Sequence, residues 1–241
     1  MQILVLAGGL GTRLKRIAKS IPKVMLNIEE KPFLEYLILQ LKKYNLNNII
    51  LCTGYLKEKI EGYFGSGNNL GVNIFYSEES KPLGTGGAIK FAENLIEEDD
   101  FIVMNGDSLF DINLYELIDY HLKKKALATM ALTKVKNKSR YGSVELSKDN
   151  KIKSFVEKLE SSHFNLINGG IYILNRKIFE FIPEEKKISL ENDIFPKLIG
   201  KGFYGFHFDN YFIDIGIPED YRKLQENPEN LFELLNNIRR K

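Results

Sequence analysis

The sequence predicts an α/β protein built on a doubly wound, mixed sheet, and three observations point there. Between residues 2 and 105, short β-rich runs alternate with stretches of helical periodicity, as strands joined by crossover helices do. The runs Ile49-Ile50-Leu51-Cys52-Thr53 and Phe101-Ile102-Val103-Met104-Asn105 are apolar on both alternating faces, which suits parallel strands covered on both sides. Beyond about residue 125, strand-like stretches follow one another with a hairpin turn between two of them, adding a part of different character.

The elements follow in order along the chain. Strand 2–7 runs into Gly8-Gly9 and is followed by a helix over about 33–44, where Phe33, Leu37, Leu41 and Tyr44 recur at helical spacing and form a core stripe. Lys42 and Lys43 suit the carboxyl end of its dipole. Next come strand 48–53, helix 56–64, strand 72–76, helix 86–96 and strand 101–105. The later half predicts a helix near 113–124 and strands 126–135, 141–147 and 151–157, the last two joined by a Lys148-Asp149-Asn150 turn. Strand 168–174, helices 176–182 and 190–200, a strand pair near 203–213, and helices 218–226 and 229–239 complete the chain. Leu231, Leu234, Leu235 and Ile238 lie at helical spacing; they suit core cover, and a homo-oligomer is left open. No composition shift marks a linker, so the expectation is one domain over 1–241, with an earlier half of about 1–112 and a later one of about 113–241, whose elements add a lid over the earlier half.

Composition narrows the function. Lys+Arg 34 against Asp+Glu 32 nearly cancel, which argues against a nucleic-acid partner and makes any phosphate affinity local. The apolar run Ile3 to Leu6 is broken by Gly8 and Gly9 well short of signal-peptide or membrane-span length, so the expectation is a cytoplasmic protein with no membrane partner. Cys52 is the only cysteine; it excludes an internal disulfide and, inside an apolar run, reads as core. His121, His163 and His207 share no spacing with carboxylates or cysteine that suggests a transition-metal site. The runs Glu97 to Asp100, Lys123 to Lys125 and Arg239 to Lys241 lie at or beyond helix ends and read as solvated charge.

The chemistry concentrates first in Leu6-Ala7-Gly8-Gly9-Leu10-Gly11-Thr12-Arg13-Leu14, a strand entering a glycine-rich turn. Glycines 8, 9 and 11 remove Cβ atoms, so successive backbone N–H groups can wrap phosphate oxygens, and Arg13 adds a multidentate cation. The P-loop pattern is missing its Gly-Lys-Ser/Thr, and the dinucleotide fingerprint fails because Leu14 stands where a third small residue belongs. Pro22-Lys23 follows, a stiff turn with a point charge for phosphate. Asp107 ends an apolar strand, where open α/β sheets place ligand chemistry.

These residues resemble the sugar-phosphate nucleotidyltransferases, and the likeness covers essentially the whole chain. The opening Leu6 to Leu14 with Pro22-Lys23 carries it, although Lys15-Arg16 stands where many members have a proline. So do Lys31 to Tyr36, Glu79 with Pro82-Leu83-Gly84-Thr85-Gly86-Gly87-Ala88-Ile89, Asn105-Gly106-Asp107, Phe155-Val156-Glu157-Lys158, Asn168-Gly169-Gly170-Ile171-Tyr172 and Tyr211 to Tyr221. The resemblance implies a Rossmann-like, GT-A-like nucleotidyltransferase fold with a sugar-binding subregion. It implies a nucleotide site at Leu6, Gly8, Gly9, Gly11, Thr12, Arg13, Lys23, Glu79, Gly84 and Thr85, and a sugar-phosphate site at Gly142, Glu157, Lys158, Asn168 and Gly170. It implies Arg13, Lys23 and Asp107 in catalysis, with Mg²⁺ held by Asp107 and Asp214. The implied partners are a nucleoside triphosphate, GTP favoured, and a sugar 1-phosphate, D-glycero-α-D-manno-heptose 1-phosphate favoured. Mannose 1-phosphate, uridylyl or cytidylyl transfer, and a non-catalytic nucleotide-sugar sensor are the alternatives.

Overall fold

The computed structural model describes residues 1–9, 20–135, 140–157, 164–184, 186–229 and 231. Strand β1 (Ile3–Leu6) is followed by a 3-10 turn (Lys23–Met25), the small hairpin β2 (Asn27–Ile28) and β3 (Lys31–Pro32), and helix α1 (Phe33–Lys43). Then come β4 (Asn48–Thr53), α2 (Lys57–Phe64), β5 (Asn73–Glu78), α3 (Gly84–Phe91), β6 (Asp100–Asn105), β7 (Ser108–Phe110) and α4 (Leu114–Lys124). The rest comprises β8 (Ala128–Thr133), β9 (Ser143–Leu146), β10 (Ile152–Val156), β11 (Leu166–Asn175), α5 (Phe195–Leu198), β12 (Phe203–His207), β13 (Phe212–Asp214) and α6 (Pro218–Glu226).

Among the described residues, nine strands make one sheet in the order β10-β9-β11-β6-β1-β4-β5, with β8 paired to β11 and β12 to β8. Strands β6, β1, β4 and β5 are parallel, whereas β11 runs antiparallel to β6 and makes the sheet mixed. Strand alternation sends successive side chains to opposite faces, and both faces are packed. Ile3, Val5, Ile49, Leu51, Ile102 and Met104 join one core, built with α1 and with Leu114 and Leu117 of α4. Leu4, Ile50, Cys52, Phe101 and Val103 join the other, built with Ile89 of α3 and with Ile194, Phe195 and Leu198. Each such side chain, fully buried, contributes about 1.5–3 kcal/mol relative to exposure.

Several elements differ from expectation, each for a local reason. The stretch 176–182 is a 3-10 helix over Arg176–Phe181, and 190–200 opens as a single π turn over Leu190–Ile194 before the short α5. Helix 86–96 is α3 plus a separate 3-10 turn over Glu93–Leu95. Strands β12 and β13 do not pair with each other: β12 lies parallel to β8, and β13 pairs with β7, a three-residue strand too short to give a periodic signal. The helix expected over 229–239 falls almost wholly outside the described residues; Leu231, which is described, is buried in the first core.

The register prepares the site. Leu6 lies opposite Cys52 on one side and Asn105 on the other, so β1, β4 and β6 end level. The segments that leave these strands, Gly8-Gly9, Gly54 and Gly106-Asp107, therefore share one rim at the carboxyl edge of the parallel strands, where open α/β sheets bind ligands.

Candidate active site

Two carboxylates are brought together by backbone pairing. The β7–β13 ladder sets Asp214 opposite Ser108, and Ile215 N donates to Asp107 O at 2.9 Å. Gly216 N donates to Asp214 Oδ1 at 2.7 Å. A Cβ on Gly216 would lie 2.7 Å from Asp214 Oδ1, 3.0 Å from Lys23 Nζ and 3.2 Å from Asp107 Oδ2, so all three groups converge on a point that only glycine leaves open. Lys23 Nζ is ion-paired to Asp107 Oδ2. The lysine rides the 3-10 turn that begins after Pro22, fixed beneath by buried Val24 and Met25.

Asp107, Asp214 and Lys23 line a cleft of about 330 Å³ that also holds Thr85, Asn105, Arg140, Gly142, Glu157, Asn168, Gly170 and Glu191. A break in β11 shapes its wall: the pairing with β8 slips between Asn168 and Tyr172, and Gly170 takes φ +74°. There a Cβ would meet Ser108 Oγ at 2.6 Å, so glycine is required by both conformation and space. Asn168 Oδ1 accepts from Gly170 N at 2.9 Å and its Nδ2 donates to Tyr172 Oη at 2.7 Å. Burial, and then the negative charge of Glu191, pushes the Tyr172 phenol well above its ordinary value, which keeps it a neutral hydrogen-bonding group. Gly142 admits Glu157: a Cβ there would stand 2.7 Å from Glu157 Oε2, while Gly142 O accepts from Asn168 N at 2.8 Å.

Glu79 stands apart from this cleft wall. Its carboxylate packs against Gly8 and Gly54, where added Cβ atoms would lie 2.9 and 3.1 Å from Oε1, and Oε2 accepts from Leu83 N at 3.1 Å. Burial raises its pKa, against the Leu83 hydrogen bond. Leu6 O accepts from Gly106 N at 3.0 Å, which ties this rim to the carboxylate pair. No described atom lies within 4 Å of a Cβ added at Gly9, and Gly84 and Gly86 pack on Ile188. Thr85, expected with the nucleotide residues, lies in the same cleft as Glu157 and Asn168, where its Oγ1 donates to Glu191 Oε2 at 2.7 Å. Gly11, Thr12, Arg13 and Lys158 lie outside the described residues, as does His163. Cys52 is buried and its thiol is pushed up to about 12, so it offers no thiolate. His121 is buried and structural, bonded to Thr129 and Asp100.

The sequence reading missed Gly54, Arg140 and the Ser189-Leu190-Glu191-Asn192 turn. Gly54 directly ends a strand, and Arg140-Tyr141 directly precedes Gly142; both positions were legible signals. Ser189 is an N-cap accepting from Asn192 N at 3.1 Å, the kind of serine that marks a helix start.

Among the described residues, Asp107 and Asp214 are the carboxylates that converge beside Lys23 and could hold a cation there; Glu157 and Glu191 line the same cleft. No cluster of three or more His, Cys, Asp or Glu suited to a metal occurs among the described residues. Two carboxylates fit a hard cation that completes its shell with phosphate oxygens and water, not a caged structural ion. No helix among the described residues is long and apolar enough to cross a membrane.

A mixed α/β sheet with Asp107 and Lys23 at its parallel-strand rim, Asp214 set beside them by the β7–β13 ladder, and amide and carboxylate groups along the adjoining wall is an arrangement chemically suited to phosphorylated, hydroxyl-rich ligands. The chain belongs to the nucleotidyl transferase family, whose model matches residues 2–230. It is 45% identical over 227 residues to the D-glycero-alpha-D-manno-heptose 1-phosphate guanylyltransferase of Aneurinibacillus thermoaerophilus, covering 94% of this chain and 97% of that protein. With the enzyme of the same name from Campylobacter jejuni it shares 42% over 224 residues, covering 92% of this chain and 97% of that one. The crystal structure of HddC from Yersinia pseudotuberculosis superposes with a TM-score of 0.83 at 40% identity, over 93% of this chain and 98% of that one; HddC is also known complexed with GMP-PN.

Proposed function

We propose that this protein transfers a guanylyl group from GTP to a sugar 1-phosphate, D-glycero-α-D-manno-heptose 1-phosphate being favoured, and releases pyrophosphate. The convergence of Lys23, Asp107 and Asp214 on Gly216, beside a wall of hydroxyl-binding groups, carries the reading; the names of its relatives support the choice of base and sugar. An oxygen of the sugar 1-phosphate attacks the α-phosphorus of GTP in line. That O–P bond forms as the bond from the α-phosphorus to the bridging oxygen breaks, and the electron pair leaves with pyrophosphate. The nucleophile is already an anion, so no general base is needed, and catalysis is positioning plus charge neutralisation.

Asp107 and Asp214 hold Mg²⁺ in this reading, which when bound supplies positive charge to the reacting phosphates. Lys23 steadies the α-phosphate region, and Arg13 with the glycine-rich amides neutralises the departing pyrophosphate. Glu157 and Asn168 accept and donate hydrogen bonds to sugar hydroxyls, Lys158 meets the sugar phosphate, and Glu79 accepts from donor groups on the base edge. The half of about 1–112 thus serves mainly the nucleotide and that of about 113–241 mainly the sugar, within one domain.

The test is pyrophosphate release with Mg²⁺ from GTP, UTP, CTP and ATP, each paired with heptose, mannose and glucose 1-phosphates. Release confined to GTP with the heptose is expected. Turnover with another pair replaces the substrate and keeps the chemistry, and a folded protein silent in every pair removes the reading.

A further inference from the structure

We infer that Gln40 is a positioning residue: buried in α1 and outside the cleft lining, it braces the two-stranded ladder that sets Asp214 beside Asp107. The inference rests on the guanylyl transfer to a sugar 1-phosphate proposed above.

Two polar side chains interrupt the otherwise apolar buried face of α1. Glu35 is matched there, by its ion pair with Lys31 and by the Tyr63 hydroxyl, which donates to Oε2 at 2.8 Å. Gln40 has no exposure. Its Nε2 donates to Phe110 O at 2.7 Å, 70 residues along the chain, while its Oε1 has no hydrogen-bond partner among the described residues. A buried acceptor left without a donor costs free energy, and an unbranched apolar side chain of the same length would avoid that cost. What such a side chain would lose is the bond to Phe110.

Phe110 is the point at which a brace acts on the carboxylate pair. Strands β7 and β13 form a sheet of their own, apart from the nine-stranded one, and a two-stranded ladder is marginal by itself. Asp111 N donates to Tyr211 O and Ile215 N to Asp107 O, each at 2.9 Å. These are hydrogen-bonded pairs of an antiparallel ladder, so Phe110, opposite Phe212, takes an intervening position whose carbonyl points away from β13. That outward carbonyl is the one Gln40 holds. The Phe110 ring meets Phe212 of β13 edge-on, with centroids 5.6 Å apart, so a shift at Phe110 is passed to the strand that carries Asp214. One helical turn beyond Gln40, Tyr44 Oη donates to Ile112 O at 2.8 Å, a second clamp from the same helix just past the end of β7.

The proposed chemistry needs Asp107, Asp214 and Lys23 to converge over Gly216. Slackening the ladder against α1 loosens that convergence. Asn168 and the nucleotide rim belong to the nine-stranded sheet, which does not depend on this brace, so the loss falls on turnover and not on substrate binding.

The test compares the wild type with Gln40→Met, which keeps the length and lacks the donor, and with Tyr44→Phe, which deletes one hydroxyl. Hydrogen exchange at the Asp111 and Ile215 amides, read by NMR without Mg²⁺ or substrates, should quicken roughly 3- to 10-fold in Gln40→Met, as loss of one neutral hydrogen bond does. The amides of β4 should keep their wild-type rates. In pyrophosphate release kcat should fall roughly 10-fold, with KM for GTP and for the sugar 1-phosphate unchanged and more Mg²⁺ needed for half the maximal rate. Tyr44→Phe should move the same quantities in the same direction by less, and it decides the matter if Gln40→Met does not fold. Wild-type exchange at both amides, an unchanged kcat, or a loss expressed as higher KM for either substrate overturns the inference while the wild type still turns over. A wild type that releases no pyrophosphate with any sugar 1-phosphate overturns the underlying function, and this inference with it.

Discussion

The two parts of the sheet place their polar groups by different means. In the parallel part, β1, β4 and β6 end level, and the site residues are whatever leaves those ends: Gly8, Gly54 and Asp107. In the antiparallel part, no common edge does this work. Asn168 and Gly170 reach the cleft because β11 slips register there; off the nine-stranded sheet, Asp214 reaches it because the separate two-stranded β7–β13 sheet sets it there, and Glu191 because a π turn precedes α5. Parallel strands supply a shelf, and antiparallel strands must be interrupted to reach it.

The carboxylate pair takes Asp107 from the parallel rim and Asp214 from the separate two-stranded β7–β13 sheet, which makes it the sharpest way to break this comparison. Asp107→Asn and Asp214→Asn should each lower kcat by roughly 100-fold or more, the scale seen when one group stabilising a transition state is removed. If the two act as a unit, the double variant should lose no more than the worse single one. Steady-state pyrophosphate release with thermal melting as a folding control decides it. Single losses that multiply in the double variant would mean that the two parts contribute independently.

A stability contrast comes next. Gly170→Ala forces a side chain into φ +74° with Ser108 Oγ 2.6 Å from the new Cβ, and should destabilise by about 1–3 kcal/mol. Gly62 lies inside α2 with no described atom beyond its own stretch of helix within 4 Å of an added Cβ. Gly62→Ala should stabilise by about 0.5–1 kcal/mol through helix propensity. Urea midpoints measured side by side give both signs, and a Gly170→Ala protein as stable as wild type would show that the β11 break is not held by glycine.

The same difference explains what the sequence made legible. Parallel strands buried on both faces read as continuous apolar runs, so β1, β4 and β6 were visible, along with Asp107 at the end of the last. Asp107 and Asp214 were paired only through family resemblance, because nothing in a local pattern encodes the β7–β13 ladder. Glu191 was hidden for a related reason: a π turn has neither the 3.6 nor the 2 residue period, and its partner Thr85 comes from the parallel part. Gly170 could be seen as a bulge or a close approach, yet the atom it must avoid, Ser108 Oγ, belongs to another strand.

The smallest effect expected is at the seam between the two parts. His121 of α4 is buried, with Nδ1 2.8 Å from Thr129 Oγ1 on β8 and Nε2 3.2 Å from Asp100 Oδ1 at the start of β6. Burial lowers its pKa from 6.5, against the pull of Asp100. With a folded value below the unfolded one, the stability linked to this group is present above the unfolded pKa and is lost as pH falls through the folded pKa, since the unfolded chain takes up the proton first. One proton limits the slope to about 1.4 kcal/mol per pH unit. His121→Gln, which does not titrate, should flatten that part of the stability curve just below pH 6.5, as read from urea unfolding at stepped pH. A slope identical to wild type would mean that the seam holds its imidazole equally well in either charge state.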